Sequence, residues 1–212
     1  MNMLPKSIGL YFIIDGMYTN QFEKYAHIAV KNHISIIQYR DKNADLIAMI
    51  GNASKMHDVT AGTDTRLIVN DIPKVAIQSK ADGIHVGQTD ENYHNVRSMI
   101  PEKIIGVSTM TLEESIEAEK LGADYLGVGP IFVTQTKLDT PPPIGLINLK
   151  EIVGKTSIPI VAIGGINADN LEHVLQTGVS GVAIISAILT APDPEKEIQK
   201  IQNIIEKFNK SR

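Results

Sequence analysis

Short runs rich in isoleucine and valine recur along this chain at regular intervals, and each gives way to a longer segment of helical period. The runs occupy residues 9–14, 35–39, 67–69, 83–86, 104–107, 125–128, 160–163 and 181–185. Most are apolar throughout instead of alternating, the pattern of strands covered on both faces. The segments between them carry helix punctuation. Thr111 and Glu114 have capping-box spacing, and Gly122 marks the expected stop of the helix they open. Asn167 is placed to cap a helix running to Gly178, and Leu46, Ile50, Ala53 and Met56 form one stripe after the second run. From Asp193 and Pro194 onward, Ile198, Ile201, Ile205 and Phe208 share a face.

Eight strands, each followed by a helix, is the repeat of a closed (β/α)8 TIM barrel, an α/β fold whose size range includes 212 residues near its short end. An open doubly wound sheet has the same alternation. No break interrupts the repeats at mid-chain, so a single domain spanning residues 1–212 is the expected organisation. The longest irregular stretch, residues 130–145 with Pro141, Pro142 and Pro143, is long for a compact domain, and such loops tend to be functional.

Charge and composition remove other classes. With 20 Lys+Arg against 24 Asp+Glu and no basic run, the chain lacks the clustered positive charge that neutralises nucleic-acid phosphates. It contains no cysteine, which excludes disulfides, thiolate metal sites and a thiol nucleophile. No apolar run approaches the roughly 18 residues of a membrane span, and the N-terminus lacks the apolar core of a signal peptide. A cytoplasmic protein is expected, without nucleic-acid or membrane partners; a homo-oligomer is left open.

In such a barrel the loops after each strand build the active-site face. Those positions hold Gln38, Arg40 and Lys42 after strand two, Asn70 and Asp71 after strand three, and Gln88 and Asp90 after strand four. Ser108 follows strand five, Thr134, Thr136 and Lys137 strand six, Gly164 and Gly165 strand seven, and Ser186 strand eight. Strand alternation puts Gln38, Arg40 and Lys42 on one side and Tyr39 and Asp41 on the other. Two converging cations form an anion clamp, Arg40 as a fork and Lys42 as a point charge, unless they are merely paired with Asp41 or Asp45. Asp71 and Asp90 end adjacent strands, where two carboxylates beside phosphate oxygens suit Mg2+. Either aspartate alone is also explained as a helix cap. Gly164 and Gly165 leave backbone N–H groups unhindered at a strand-to-helix turn, a phosphate cradle or simply a tight, closely packed turn. Residues 134–137 offer hydroxyls and an ammonium to a second anion, or ordinary loop polarity. His85 reads as a hydrogen-bonded structural residue, and no His/Glu spacing resembles a zinc site. Tyr11 and Tyr39 fit either the site or the core.

Taken in order, Arg40-Asp41-Lys42, Val69-Asn70-Asp71, Ile84 through Asp90, Gly106-Val107-Ser108, Gly127 through Phe132 with Thr134-Gln135-Thr136-Lys137, and Ala162 through Ile166 closely resemble the thiamine-phosphate synthase (thiamine-phosphate pyrophosphorylase) family over nearly the whole chain. The resemblance implies a (β/α)8 barrel that joins 4-amino-2-methyl-5-hydroxymethylpyrimidine diphosphate to 4-methyl-5-(2-phosphoethyl)thiazole, with or without a carboxylate on the thiazole, giving thiamine phosphate and pyrophosphate. It assigns Gln38, Tyr39, Arg40, Asp41, Lys42 and Asn70 to the pyrimidine diphosphate, and Asp71 and Asp90 to Mg2+. Ser108 and Lys137 join Arg40 and Lys42 as catalytic groups at the diphosphate, while Thr134, Gln135, Thr136, Gly165, Ile185 and Ser186 hold the thiazole phosphate. In the family, pyrophosphate leaves early and the thiazole nitrogen traps a pyrimidine-stabilised cation, so no strong protein base is needed. The 130–145 loop is expected to act as a lid that keeps water out. Met110 stands where relatives often carry histidine, and Ile72 replaces a residue that is often polar. The related thiazole tautomerase branch relies on that histidine; a silent phosphate-binding barrel is the rival of another class.

Overall fold

A computed structural model of the chain describes residue 4 and residues 7–88, 90, 95–134 and 141–211. Its strands are β1 (Gly9–Asp15), β2 (Ile36–Arg40), β3 (Arg66–Asn70), β4 (Gly83–Val86), β5 (Ile104–Thr109), β6 (Tyr125–Val128), β7 (Ile160–Ile163) and β8 (Gly181–Ile184). All pair in parallel with their sequence neighbours, and β1 also pairs with β8, which closes the barrel. The open-sheet alternative is thereby excluded.

The helices are α1 (Phe22–Lys31), α2 (Leu46–Thr60), α3 (Pro73–Gln78), α4 (Val96–Met99), α5 (Leu112–Lys120), α6 (Gly145–Lys155), α7 (Leu171–Leu175), α8 (Ser186–Leu189) and α9 (Pro194–Lys210). The capping box at α5 is complete: Thr111 accepts from the Glu114 N–H at 3.1 Å, while the Glu114 side chain accepts from the Thr111 N–H at 3.2 Å. The chain leaves this helix through Gly122 at φ +89°. Asp193 caps α9, whose Ile198, Ile201 and Ile205 are buried. One helix start differs from the sequence reading. Asn167 closes a turn by accepting from the Asp169 and Asn170 N–H groups, and α7 begins only at Leu171.

Why the strands are apolar throughout is visible in the division of the core. On β1, Leu10, Phe12 and Ile14 face outward to the helices, while Tyr11 and Ile13 face the barrel interior. The same alternation puts Ile37 and Tyr39 outside and Ile36 inside on β2. Each strand thus fills two apolar layers, and the interior layer of Tyr11, Ile36, Ile68, Ile104, Tyr125, Val161 and Ala183 plugs the barrel beneath its C-terminal mouth.

Candidate active site

The alternation that builds the interior layer also delivers polar groups to the mouth. At the last inward positions of β1 and β2, which are register partners, stand Asp15 and Arg40. The Arg40 Nη1 donates to Asp15 Oδ2, and the second Asp15 oxygen accepts from the Met17 N–H at 2.9 Å. Asp15 is only 1% exposed, so Arg40 is held by a buried partner. Sequence reading missed Asp15; its one signal was a carboxylate directly after five apolar residues of β1.

Lys42 reaches across to β3, where its Nζ lies 2.8 Å from Asp71 Oδ2. Both cations are therefore paired, but neither with Asp41 nor with Asp45. Asp45 caps α2, and Asp41 turns back to accept from the Asn43 and Ala44 N–H groups at 3.1 and 3.2 Å. That engagement ties the Asp41 side chain to its own loop. Tyr39 lies in the outer layer of the core. Its ring packs edge-on against Phe22, centroids 4.8 Å apart, in the layer between sheet and helices.

Asp71 sits at φ +63°, a left-handed conformation that aspartate tolerates better than most residues, and this bend aims its carboxylate at the mouth. It does not cap α3, whose cap position is Ile72 with no side-chain bond. Ile72 packs partly buried against the outer core, which accounts for an apolar residue there. Asp90 accepts from the Gly87 N–H at 2.6 Å and lies within hydrogen-bond reach of Asp71. Burial first, and then the neighbouring Asp71 charge, raise the Asp90 carboxyl above its ordinary range. Lys42, Asp71 and Asp90 thus converge. Among the described residues no cluster of three or more His, Asp or Glu side chains supplies a larger metal cage.

Behind these charges a line of hydrogen bonds runs from the buried interior out to the mouth. Gln38 Nε2 donates to the Tyr11 hydroxyl at 2.8 Å, and the Tyr11 and Tyr125 hydroxyls are 2.8 Å apart. Tyr125 reaches His85 Nδ1 at 2.9 Å, and His85 Nε2 reaches Ser108 Oγ at 2.9 Å. Burial lowers the His85 pKa to about 4, so the imidazole is neutral near pH 7. Two glycines make room for the line: a Cβ on Gly106 would stand 2.1 Å from Tyr125 Cζ, and one on Gly127 would stand 2.7 Å from His85 Cε1. Ser108 opens to solvent at the mouth, and Gln88 Nε2 donates to its carbonyl at 3.2 Å. Asn70 ends β3 in register with His85.

On the opposite arc, the segment after β6 leans on the turn after β7. The Ile131 and Phe132 N–H groups donate to the Ile163 and Gly164 carbonyls at 2.9 and 3.0 Å. A Cβ on Gly164 would stand 2.6 Å from Pro130 Cα, and one on Gly165 would stand 2.6 Å from the Val133 carbonyl. Close packing is therefore one demonstrable reason for both glycines. The contact brings the 130–134 segment, ending at Thr134, beside Gly165; Ile185 and Ser186 follow at the end of adjacent β8. The Ile144 N–H closes the long loop at its base on the Pro130 carbonyl at 2.8 Å. Gln135, Thr136 and Lys137, and with them the central part of the expected lid, lie outside the described residues. Met110 donates its N–H to Glu114 at 2.6 Å beside the capping box.

Comparison with known proteins shows the family of the chain. The model of a family described as thiamine monophosphate synthase matches residues 10–188. The chain is similar to the thiamine-phosphate synthase of Clostridium novyi, 40% identical over 92% of this chain and 97% of that one. It is also similar to the thiamine-phosphate synthase of Archaeoglobus fulgidus, 38% identical over 98% of each chain. Among solved structures, the thiamine phosphate pyrophosphorylase of Pyrococcus furiosus superposes with a TM-score of 0.87 at 38% identity, covering 95% of this chain and 96% of that one. A 3-hexulose-6-phosphate synthase at 17% identity, with a TM-score of 0.68, shares the fold.

Proposed function

Because the chain belongs to the thiamine monophosphate synthase family, we propose that it condenses 4-amino-2-methyl-5-hydroxymethylpyrimidine diphosphate with 4-methyl-5-(2-phosphoethyl)thiazole to give thiamine phosphate and pyrophosphate. The observation that carries this reading is the convergence of Arg40 and Lys42 with the Asp71 and Asp90 carboxyls at one mouth. A leaving diphosphate needs positive charge that is in place before the bond breaks, and preorganised groups supply it without reorganisation. Arg40 is preorganised by Asp15 and offers two N–H edges to phosphate oxygens. Lys42 supplies a mobile point charge, its side chain 54% exposed, that can exchange Asp71 for the diphosphate. Ser108 and Asn70, on inward positions of β5 and β3, offer neutral hydrogen bonds, and Gln38 lies one layer deeper.

The carboxyl pair fits Mg2+, which takes one or two protein carboxylates and completes its shell with phosphate oxygens and water. Two carboxyls in mutual contact, one with a raised pKa, are an arrangement that a divalent cation relieves. Asp71 and Asp90 would hold the ion, which when bound neutralises charge on the diphosphate. Thr134, Gly165, Ile185 and Ser186, with Gln135 and Thr136, are the groups proposed for the thiazole phosphate, and Lys137 completes the cationic set. No residue need act as a strong base, because the thiazole nitrogen itself is the nucleophile and the diphosphate departs as an anion. Met110 occupies the place of the histidine on which the tautomerase branch relies, so the isomerase reading lacks its acid–base group. Among the described residues no helix is long and apolar enough to cross a membrane.

The decisive experiment mixes purified protein, Mg2+ and both substrates and measures thiamine phosphate and pyrophosphate together. Equal amounts of the two are expected. Thiazole phosphate that is bound or altered without pyrophosphate release would refute the reading.

A further inference from the structure

The geometry points to a directional hydrogen-bond chain, Gln38–Tyr11–Tyr125–His85–Ser108, that fixes the His85 tautomer and thereby leaves the Ser108 hydroxyl proton free for the ligand, with Tyr11, Tyr125 and His85 as positioning residues. It rests on the preceding reading only for the identity of that ligand.

The direction follows from counting protons. The Gln38 Nε2 can only donate, so the Tyr11 oxygen accepts. Tyr11 has one hydroxyl proton and is 1% exposed; Tyr125 is the other polar atom bonded to its oxygen among the described residues. Turning that proton elsewhere would leave a buried donor unsatisfied, which costs more than the bond itself contributes. Tyr11 therefore donates to Tyr125, and Tyr125, whose oxygen now accepts, gives its own proton to His85 Nδ1. With Nδ1 an acceptor, the neutral ring carries its proton on Nε2 and donates to Ser108 Oγ. Ser108, already an acceptor toward the ring, has its one proton left for the mouth, where it is exposed.

The polarity matters because a hydroxyl can serve either way. Turned round, the chain would draw the Ser108 proton into the barrel and present only lone pairs to an incoming anion. As built, Ser108 donates. Toward a phosphate oxygen gaining charge, that donor strengthens as the bond to carbon breaks. Four links, each 2.8–2.9 Å long, polarise in the same sense. The interior spends Gly106 and Gly127 on accommodating them.

The test has two arms. In the first, nitrogen NMR of 15N-histidine-labelled wild-type protein without substrate should find the His85 proton on Nε2; a proton on Nδ1 would overturn the chain. In the second, Tyr125→Phe, Ser108→Ala and the double variant are assayed for thiamine phosphate formation. Tyr125→Phe should lower kcat roughly tenfold or more with little change in KM, on the scale of a weakened anion-stabilising donor. In the Ser108→Ala background the same change should cost almost nothing further, because the group it orients is gone. Equal losses of kcat in both backgrounds would show that Tyr125 acts independently of Ser108 and would refute the proposal. Should Tyr125→Phe fail to fold, Tyr11→Phe replaces it, with the same non-additivity expected at smaller amplitude. The ring measurement uses no substrate, so it decides the chain even if the assigned reaction proves wrong.

Discussion

Replacing Asp15 tests whether the mouth is organised from below or only from its surface. Asp15 is 1% exposed and Arg40 is 16% exposed, so the pair lies largely out of water. Asp15→Ala removes the partner of a desolvated guanidinium and also the acceptor of the Met17 N–H. Breaking a buried pair from one side costs about 3–5 kcal/mol, much of it the price of the stranded charge. For a chain of this size each kcal/mol moves Tm by about 2–4 °C, so a fall of roughly 6–20 °C is expected by calorimetry. Asp15→Asn keeps an oxygen for Met17 while losing the charge, and should fall between the wild type and Asp15→Ala. The functional consequence separates from stability: at a temperature where both variants are folded, kcat/KM should drop at least tenfold because Arg40 is no longer aimed. A Tm within about 2 °C of wild type for Asp15→Ala, where a buried pair predicts several times that, would show that Arg40 finds solvent readily and that the pair is not structural.

Asp71→Asn and Asp90→Asn should each reduce turnover sharply and raise the Mg2+ concentration required, read from rates across a Mg2+ titration. Lys42 is 54% exposed, so losing its Asp71 partner should cost less than about 1 kcal/mol of stability; wild-type turnover in either variant would reject the metal assignment. Gly106→Ala drives a Cβ to 2.1 Å from the Tyr125 ring, and an overpacked interior of this kind should lose about 1–3 kcal/mol in urea denaturation. Thr111→Ala removes one arm of the capping box and should cost about 1 kcal/mol without affecting turnover, which a denaturant midpoint and a rate at saturating substrate would check.

Most of the fold could be read because closure demands it. A strand covered on both faces has to be apolar along its length, and the eight runs, each matched by a strand, meet that demand. Several boundaries moved outward by one or two residues at the mouth, since Asp15, Arg40, Asn70, Ser108 and Thr109 are paired as strand although they are polar. Period-two alternation separates Gln38, Arg40 and Lys42 from Tyr39 and Asp41, and the family assignment spans both groups. A resemblance transfers whole motifs, while the pleat allows only alternate side chains to reach the mouth. What could not be read was pairing across strands. Asp15 with Arg40, Lys42 with Asp71, and Tyr11 with Tyr125 are 25, 29 and 114 positions apart, and only barrel register makes them neighbours. Asn167 misled for a local reason: an asparagine that closes a turn and one that opens a helix carry the same sequence signature.

The glycines inside β4, β5 and β6 carry a consequence for how this protein can vary. At Gly83, Gly106 and Gly127 the missing side chain is replaced by atoms of a neighbour: Ile68 and Ile104, the ring of Tyr125, and the ring of His85. Each bulky group occupies a notch cut in another strand, the adjoining one for Gly83 and Gly106 and the next but one for Gly127, so neither half of such a couple can change size alone. Substitutions in this part of the interior should therefore be tolerated as compensating pairs, one residue shrinking as its partner grows, and a library that randomises single positions here will recover almost nothing but the parent.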